Sequence, residues 1–421
     1  AMKRRLLPIL MTLILVCALP IWAAFVTSGD VTNPLVSTAG ATEPPEPVEV
    51  RTADDLRDKI TNGKSVKLMA DISITSTLEI AKSLTLDLNG HVLKMTGTGS
   101  VLKVSGRATL TITDSSAEGT GTITGGNAVD GGGVYIDNNA TLKMTGGCIT
   151  GCHASYGGGG IRSSGNLYMS GAAKIEKCTS NWGSDDAIWN KEGVIYADGG
   201  TVDGMVNSQG TITCSNGTNA NAATVFNKTV YLRGSNPTRC IEAGTYNGTV
   251  ENTGSITGGT FYGTVRNQKN SMGLNITGSV TGGTFYGLIV NEVGPGQVTG
   301  GTFAVTFDRG DGTKTGPELV GYKGTVSRPP SDPEKSGHTF TGWYLDDEKY
   351  NFDTPVTAPL TLTAKWEKVP SSGGYYYYQP TTDTKTDDAK GSPKTADPGV
   401  ALYAALSLLS LTGLTCTTKK R

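Results

Sequence analysis

Gly131–Tyr156 reads GGGVYIDNNATLKMTGGCITGCHASY, and Gly158–Asn181 reads GGGIRSSGNLYMSGAAKIEKCTSN. These are two copies of one unit. Val134 recurs as Ile161, 27 residues on, and Leu142 as Leu167, 25 residues on. Ile149 recurs as Ile175 and Cys152 as Cys178, both 26 residues on. Each copy holds three short alternating runs, which in the first are Val134–Ile136, Leu142–Met144 and Cys148–Thr150. Alternation with period two marks a strand with one buried face. Glycine-rich turns between the runs allow backbone angles that other residues resist. A unit of this length cannot bury its apolar face alone and must stack on its neighbours. Three strands per turn, repeated, predict a parallel β-solenoid. A helical alternative fails because no window sustains a 3.6-residue apolar period with helix-forming residues.

Composition agrees with this reading. The 421-residue chain holds 58 glycines, and 17% of its residues are charged. That glycine share is roughly double the average and the charge share is below the roughly 25% of soluble domains. A net charge of −1 gives nucleic acid no electrostatic handle. Of seven cysteines, Cys17 and Cys416 lie in terminal apolar segments. The remaining five form neither an even disulfide framework nor a zinc pattern, so no metal and no cofactor is expected.

Residues 1–24 have the form of a signal peptide: Lys3, Arg4 and Arg5 precede an apolar run from Leu6 to Ala24. Cleavage after Ala23 or Ala24 fits, and Ala39-Gly40-Ala41 offers a later site. Residues 25–48 are polar and proline-bearing, a linker. Thr52-Ala-Asp-Asp55 resembles a capping box, and Leu56 and Ile60 follow at helical spacing. A short helix over 52–61 would cover the open end of the solenoid, whose first coil is otherwise an unpaired edge.

The runs VKLMADI, TLEI, LTLDLNG, VLKM, VLKV and TLTITD then alternate through Asp114, with the phrase Leu86-Asp87-Leu88-Asn89-Gly90-His91 among them. With these, residues 50–305 resemble right-handed parallel β-helix proteins of the pectin-lyase-like class, especially repeat-rich surface proteins of gut bacteria. The resemblance implies an all-β chain whose solenoid, residues 49–303, is a right-handed parallel β-helix with three-stranded coils. The later coils carry Gly-Thr-aromatic units starting at Thr245, Thr260, Thr284 and Thr302. Gly248, Gly263 and Gly287 follow three of these threonines at a fixed offset, and Asn252, Asn267 and Asn291 follow four further on. Asparagines stacked in this way can hydrogen-bond along the solenoid axis.

Residues 304–368 read as a small separate domain. Its landmarks are Val305-Thr-Phe-Asp308, Gly342-Trp343-Tyr344, Phe352-Asp353 and Ala364-Lys-Trp366, with a hairpin turn at Asp311-Gly312. These resemble the Listeria–Bacteroides repeat, which implies a β-grasp-like module. Trp343 and Trp366 are expected in its core, since so small a domain needs large apolar side chains.

Residues 369–391 are a tether of Ser, Gly, Tyr, Thr and Asp. Ser392-Pro393-Lys394-Thr395-Ala396, an apolar run over 400–416 and the basic tail Lys419-Lys420-Arg421 follow. This order resembles a Gram-positive sortase sorting signal over 392–421, with Ser and Ala standing where the L-P-x-T-G pattern has Leu and Gly. The resemblance implies a sortase that cuts after Thr395 and joins the chain to peptidoglycan. Contact of 400–416 with the membrane would be transient. A tail-anchor helix is the plainer alternative.

Several residues are candidates for chemistry. Asp185-Asp186 resembles the aspartate pair of polygalacturonases, but the histidine and Arg-Lys motifs that accompany that pair are missing. Adjacent strand residues also face opposite sides, so the pair is a minority candidate for catalysis and no enzyme is expected. A lyase's calcium-binding acidic cluster is not evident. His91 reads as a turn residue. Cys152 and Cys178, on successive coils about 4.8 Å apart, are within reach of a disulfide or stand as two free thiols. Metal binding by Cys148, Cys152 and His153 is disfavoured by a strand bend. Phe261 aligns with Phe285 and Tyr262 with Tyr286; the phenylalanines are expected inside and the tyrosines outside. Such a tyrosine pair is either a platform for sugar rings or ordinary strand-favouring aromatics. Arg309-Gly310-Asp311 is either an integrin-type contact or simply the chemistry of a turn. The functional expectation is an adhesin-like surface protein binding glycan or host matrix, with a passive stalk or a polysaccharide-degrading enzyme as alternatives.

Overall fold

The computed structural model describes residues 46–181, 186–215, 224–233, 239–268, 278–292 and 297–370. The expected signal peptide, Asp185, the sorting motif Ser392–Ala396 and the apolar segment 400–416 lie outside the described residues, as does nearly all of the tether.

The chain forms a parallel β-solenoid. Strands from successive coils stack into three long sheets. The first sheet begins with Val48–Val50 and Val66–Leu68, the second with Ile72–Ile74 and Val92–Met95, and the third with Leu78–Ile80 and Leu102–Val104. The registers expected from the repeat are those observed. Val134 pairs with Ile161, Leu142 with Leu167 and Ile149 with Ile175. The strands of the three long sheets turn most of their aliphatic residues inward, so Leu, Ile and Val line the interior from Val50 to Val280.

The helix Ala53–Thr61 closes the first coil. The Thr52 hydroxyl accepts the Asp55 N–H at 3.3 Å, which satisfies one of the orphan donors of a helix start. Leu56 and Ile60 are buried on the coil beneath. Arg57 ties the helix down by donating to the carbonyls of Ser76 and Thr77 at 2.9 and 3.1 Å.

Two ladders run along the later coils. Inside the second sheet, Phe226, Tyr246, Phe261 and Phe285 stack at 5.0, 4.8 and 4.8 Å, and Phe303 follows at 5.7 Å. The buried Tyr246 keeps its hydroxyl satisfied by donating to the Ala243 carbonyl at 2.7 Å, and burial holds its pKa well above the usual phenol value. At the end of the third sheet, Asn252 Nδ2 donates to Asn267 Oδ1 and Asn267 Nδ2 to Asn291 Oδ1, both at 2.8 Å. Asn252 and Asn267 are buried and each both donates and accepts, Asn252 Oδ1 taking the Gly254 N–H at 2.9 Å, and the column ends at the exposed Asn291.

Two features differ from the sequence expectation. Coils with 25–27-residue spacing hold a fourth short strand, and Asn127–Asp130, His153–Gly157 and Thr179–Ser180 form a separate three-stranded sheet. The glycines at this corner explain how it fits: a Cβ on Gly132 would lie 2.3 Å from the His153 carbonyl oxygen. The second feature is the junction with the C-terminal module. The strand Thr302–Asp308 runs through 303/304 and is shared by the two parts. Its start pairs in parallel with Thr284–Phe285, its later part in parallel with Leu360–Lys368, and its whole length antiparallel with Lys314–Gly321.

The module's sheet runs Lys314–Gly321, Thr302–Asp308, Leu360–Lys368, His338–Leu345, with the two central strands parallel. The crossover through residues 322–337 carries no helix. Trp343 is a core residue, edge-on to Phe307 at 4.9 Å. Trp366 packs against the core but is only half-buried, and its Nε1 donates to the Arg309 carbonyl at 2.9 Å.

Candidate functional site

The aromatic units place one ring inside and the next outside. Phe261 and Phe285 are fully buried, while Tyr262 is 53% exposed and Tyr286 half-buried. The tyrosine rings stack outside the wall at 4.6 Å, 13° from parallel. Their spacing is set from within, because the Phe261 and Phe285 rings beneath them stack at 4.8 Å. The turn after each tyrosine is equally fixed. A Cβ on Gly263 would sit 2.1 Å from the Gly248 carbonyl oxygen, and one on Gly287 2.2 Å from that of Gly263. Asn247 and Asn227 continue the column, with Asn247 Nδ2 donating to Asn227 Oδ1 at 2.9 Å. A flat apolar step beside side-chain amides is the arrangement that holds a sugar: ring faces stack and hydroxyls hydrogen-bond.

A second outward step was not anticipated. Tyr168 and Tyr196 on the first sheet stack at 4.0 Å, 6° from parallel, with the Lys143 ammonium 5.3 Å from the Tyr168 ring centre. The signal was present in the runs Asn166–Met169 and Val194–Ala197, where both tyrosines hold the position before the last inward residue.

The other sequence candidates fall out as follows. Asp186 is 3% exposed and its Oδ2 accepts the Gly158 N–H at 3.0 Å. Burial raises its pKa above the ordinary carboxylate value, against the Ser180 and Gly158 hydrogen bonds. Its carboxyl is closed off from solvent beside Gly158. A carboxyl with a raised folded pKa gives stability that is fully present below the unfolded value near 3.8 and lost as pH rises through the folded value. Asp186→Asn is thus expected to raise the unfolding midpoint at pH 7 and to leave it unchanged near pH 3. Thermal melts across that range check this; a lower midpoint at pH 7 would contradict it.

Cys152 and Cys178 are both buried free thiols, stacked on successive coils. They fill the space over Gly133 and Gly160, where an added Cβ would lie 3.5 and 3.3 Å from the respective sulfurs. The Cys152 thiol beside it, together with burial, raises the pKa of Cys178 well above the usual thiol value. Cys148 lies on the outer side of its strand, and burial first, with Glu176 second, pushes its pKa up to about 11. Among the described residues no group of three or more His, Cys, Asp or Glu is placed to hold a metal ion. His91 does sit in a turn, with Nδ1 3.4 Å from Asp71 Oδ1. In the RGD tripeptide, Asp311 Oδ1 accepts from the Thr313 N–H and hydroxyl at 2.8 and 2.5 Å. Its carboxylate is engaged in shaping its own turn.

The fold and these outward steps define a class: a β-solenoid with aromatic platforms, fused through one strand to a small mixed β-module. Residues 303–365 match the family model of the Listeria–Bacteroides repeat domain. Two proteins of Evansella cellulosilytica, provisionally named a Gly-rich membrane protein and a membrane protein, are each 36% identical over 69 residues. Those matches span 15% of this chain and 8% and 10% of the two relatives. No solved structure matches the chain. Among the described residues no helix is long and apolar enough to cross a membrane.

Proposed function

We propose that this is a secreted, adhesin-like surface protein that binds glycan, or a glycan-bearing host matrix, on its solenoid wall. The Tyr262–Tyr286 step carries the reading, because an exposed and a half-buried ring, stacked on the outer wall over a buried ladder, form a rigid platform with little ordering cost on binding. A surface location is supported by the repeat family matched at 303–365, typical of surface proteins, and by the membrane names of the two relatives. Attachment through Ser392–Ala396 by a sortase, with cleavage after Thr395 and linkage to peptidoglycan, completes the proposal.

A glycan array with the purified full-length protein tests it. Binding of neutral oligosaccharides is expected, weakened at least about tenfold in the Tyr262→Ala, Tyr286→Ala double variant. Binding that survives both changes moves the site elsewhere on the wall. An array without any binding would leave the solenoid a passive stalk.

A further inference from the structure

The third sheet carries a side chain that the fold does not explain. Tyr135, Arg162 and Trp189 occupy paired outward positions on successive coils. An outward arginine on a solenoid is normally solvated, yet Arg162 is 8% exposed. The short extra sheet walls it in. Its neighbour Tyr156 leans on Trp189 at 5.0 Å, and the Arg162 guanidinium carbon lies 4.7 Å from the Tyr135 ring centre and 5.5 Å from that of Trp189.

Among the described residues this buried cation has only neutral partners. Nη1 donates to the Tyr135 hydroxyl and to Ser164 Oγ, both at 2.8 Å. Nε is sealed from solvent with no acceptor. Among the described residues no carboxylate lies within ion-pair distance of the guanidinium. Holding a guanidinium out of water without an anion is costly. Arg162 borders an open cleft of about 400 Å³, lined also by Tyr135, Asp137, Asn138, Ser164 and Lys191. Asp137 is already engaged by Lys103 at 3.6 Å, so Arg162 and the exposed Lys191 leave the cleft positive. Tyr135 also lines a neighbouring cleft of about 540 Å³ that includes Asn127, Val129 and Asp130. The two clefts have Tyr135 in common.

We propose that the Arg162 cleft is a second carbohydrate site, selective for a sugar bearing an oxyanion, either a carboxylate or a sulfate ester. Arg162 takes the oxyanion by Nη2, the guanidinium nitrogen neither spent on Tyr135 and Ser164 nor sealed from solvent, and Lys191 adds long-range attraction. The proposal rests on the glycan-binding reading above but uses residues remote in sequence from Tyr262 and Tyr286.

The test is equilibrium binding of the full-length protein to four probes: dextran (neutral), hyaluronan (carboxylate only), keratan sulfate (sulfate only) and chondroitin sulfate (both). Tighter binding of at least one anionic probe than of dextran is expected, and the single-anion probes identify which oxyanion is read. Arg162→Gln is expected to weaken that binding at least about tenfold while leaving dextran binding unchanged. Lys191→Gln, at an exposed position where folding is not at stake, is expected to weaken it about two- to threefold and to flatten its salt dependence. Anionic binding unaltered in both variants, or no preference over dextran, overturns the proposal and leaves the Tyr262–Tyr286 reading standing. Failure of all four probes and of the neutral array overturns both.

Discussion

Phe261→Ala is expected to lower the unfolding free energy by about 3–5 kcal/mol. The Phe261 ring is fully buried between those of Tyr246 and Phe285, 4.8 Å from each. Those neighbours cannot close over the gap. Their strands are held at solenoid spacing by backbone bonds such as Tyr262 N–H to Tyr246 O at 2.9 Å and Tyr286 N–H to Phe261 O at 2.8 Å. The cavity therefore persists, which puts the cost at the upper end for a large-to-small change. In a solenoid, stability is a sum of unit and nearest-neighbour terms, so the loss falls first on the coils around 246–285. Because Thr302–Asp308 continues this ladder into the C-terminal module, the module's Trp343 emission should shift at the same denaturant concentration as the solenoid's signal. Denaturant titration followed by both signals checks this. An unchanged midpoint, or a module that unfolds separately in the variant and in the parent, would contradict the shared-strand architecture.

Gly159→Ala is expected to cost about 3 kcal/mol or more, with little soluble protein recovered. The new methyl would sit 2.2 Å from the Thr179 carbonyl oxygen and 2.7 Å from its nitrogen, both backbone atoms of the next coil. Neither atom can swing aside as a side-chain end would. The same corner in the coil below is Gly132, so the whole edge of the three-stranded sheet depends on backbone passing backbone. Gly316→Ala is the matched control. It has no atom within 4 Å of the added carbon and no left-handed backbone angle, and its effect should stay within about 0.5 kcal/mol. Comparable losses in both variants would mean that the corner is looser than its geometry indicates.

These two positions also show what was legible in the sequence. The aromatic ladder was readable because Thr-Phe recurs with a glycine at a fixed offset, and each residue's side of the wall follows from alternation alone. The asparagine ladder and the helix cap were readable for the same local reasons. The extra strand at His153–Gly157 was not. CHASYG between two repeats looks like a long turn, and only its pairing with Asn127–Asp130 and Thr179–Ser180 makes it a strand. Arg162 was hidden by the same feature, since its position predicts a solvated side chain and its burial comes from a neighbouring sheet. Tyr168 and Tyr196 were visible individually, but their 28-residue separation differs from the 25–27 of the aligned repeat, so their stacking was missed. The shared strand Thr302–Asp308 was split because the change of repeat style falls inside it.

Recognition and degradation of a glycan by this solenoid are separated most directly by one incubation. The purified full-length protein is mixed with the neutral and anionic glycans above, and both retained and released sugar are followed by mass spectrometry. A binding protein retains at least one glycan and returns it at its original length, with no new reducing ends. Shortened fragments that disappear with Asp186→Asn would contradict that claim and make the solenoid a polysaccharide-degrading enzyme; retention of no glycan would contradict it equally and leave a stalk.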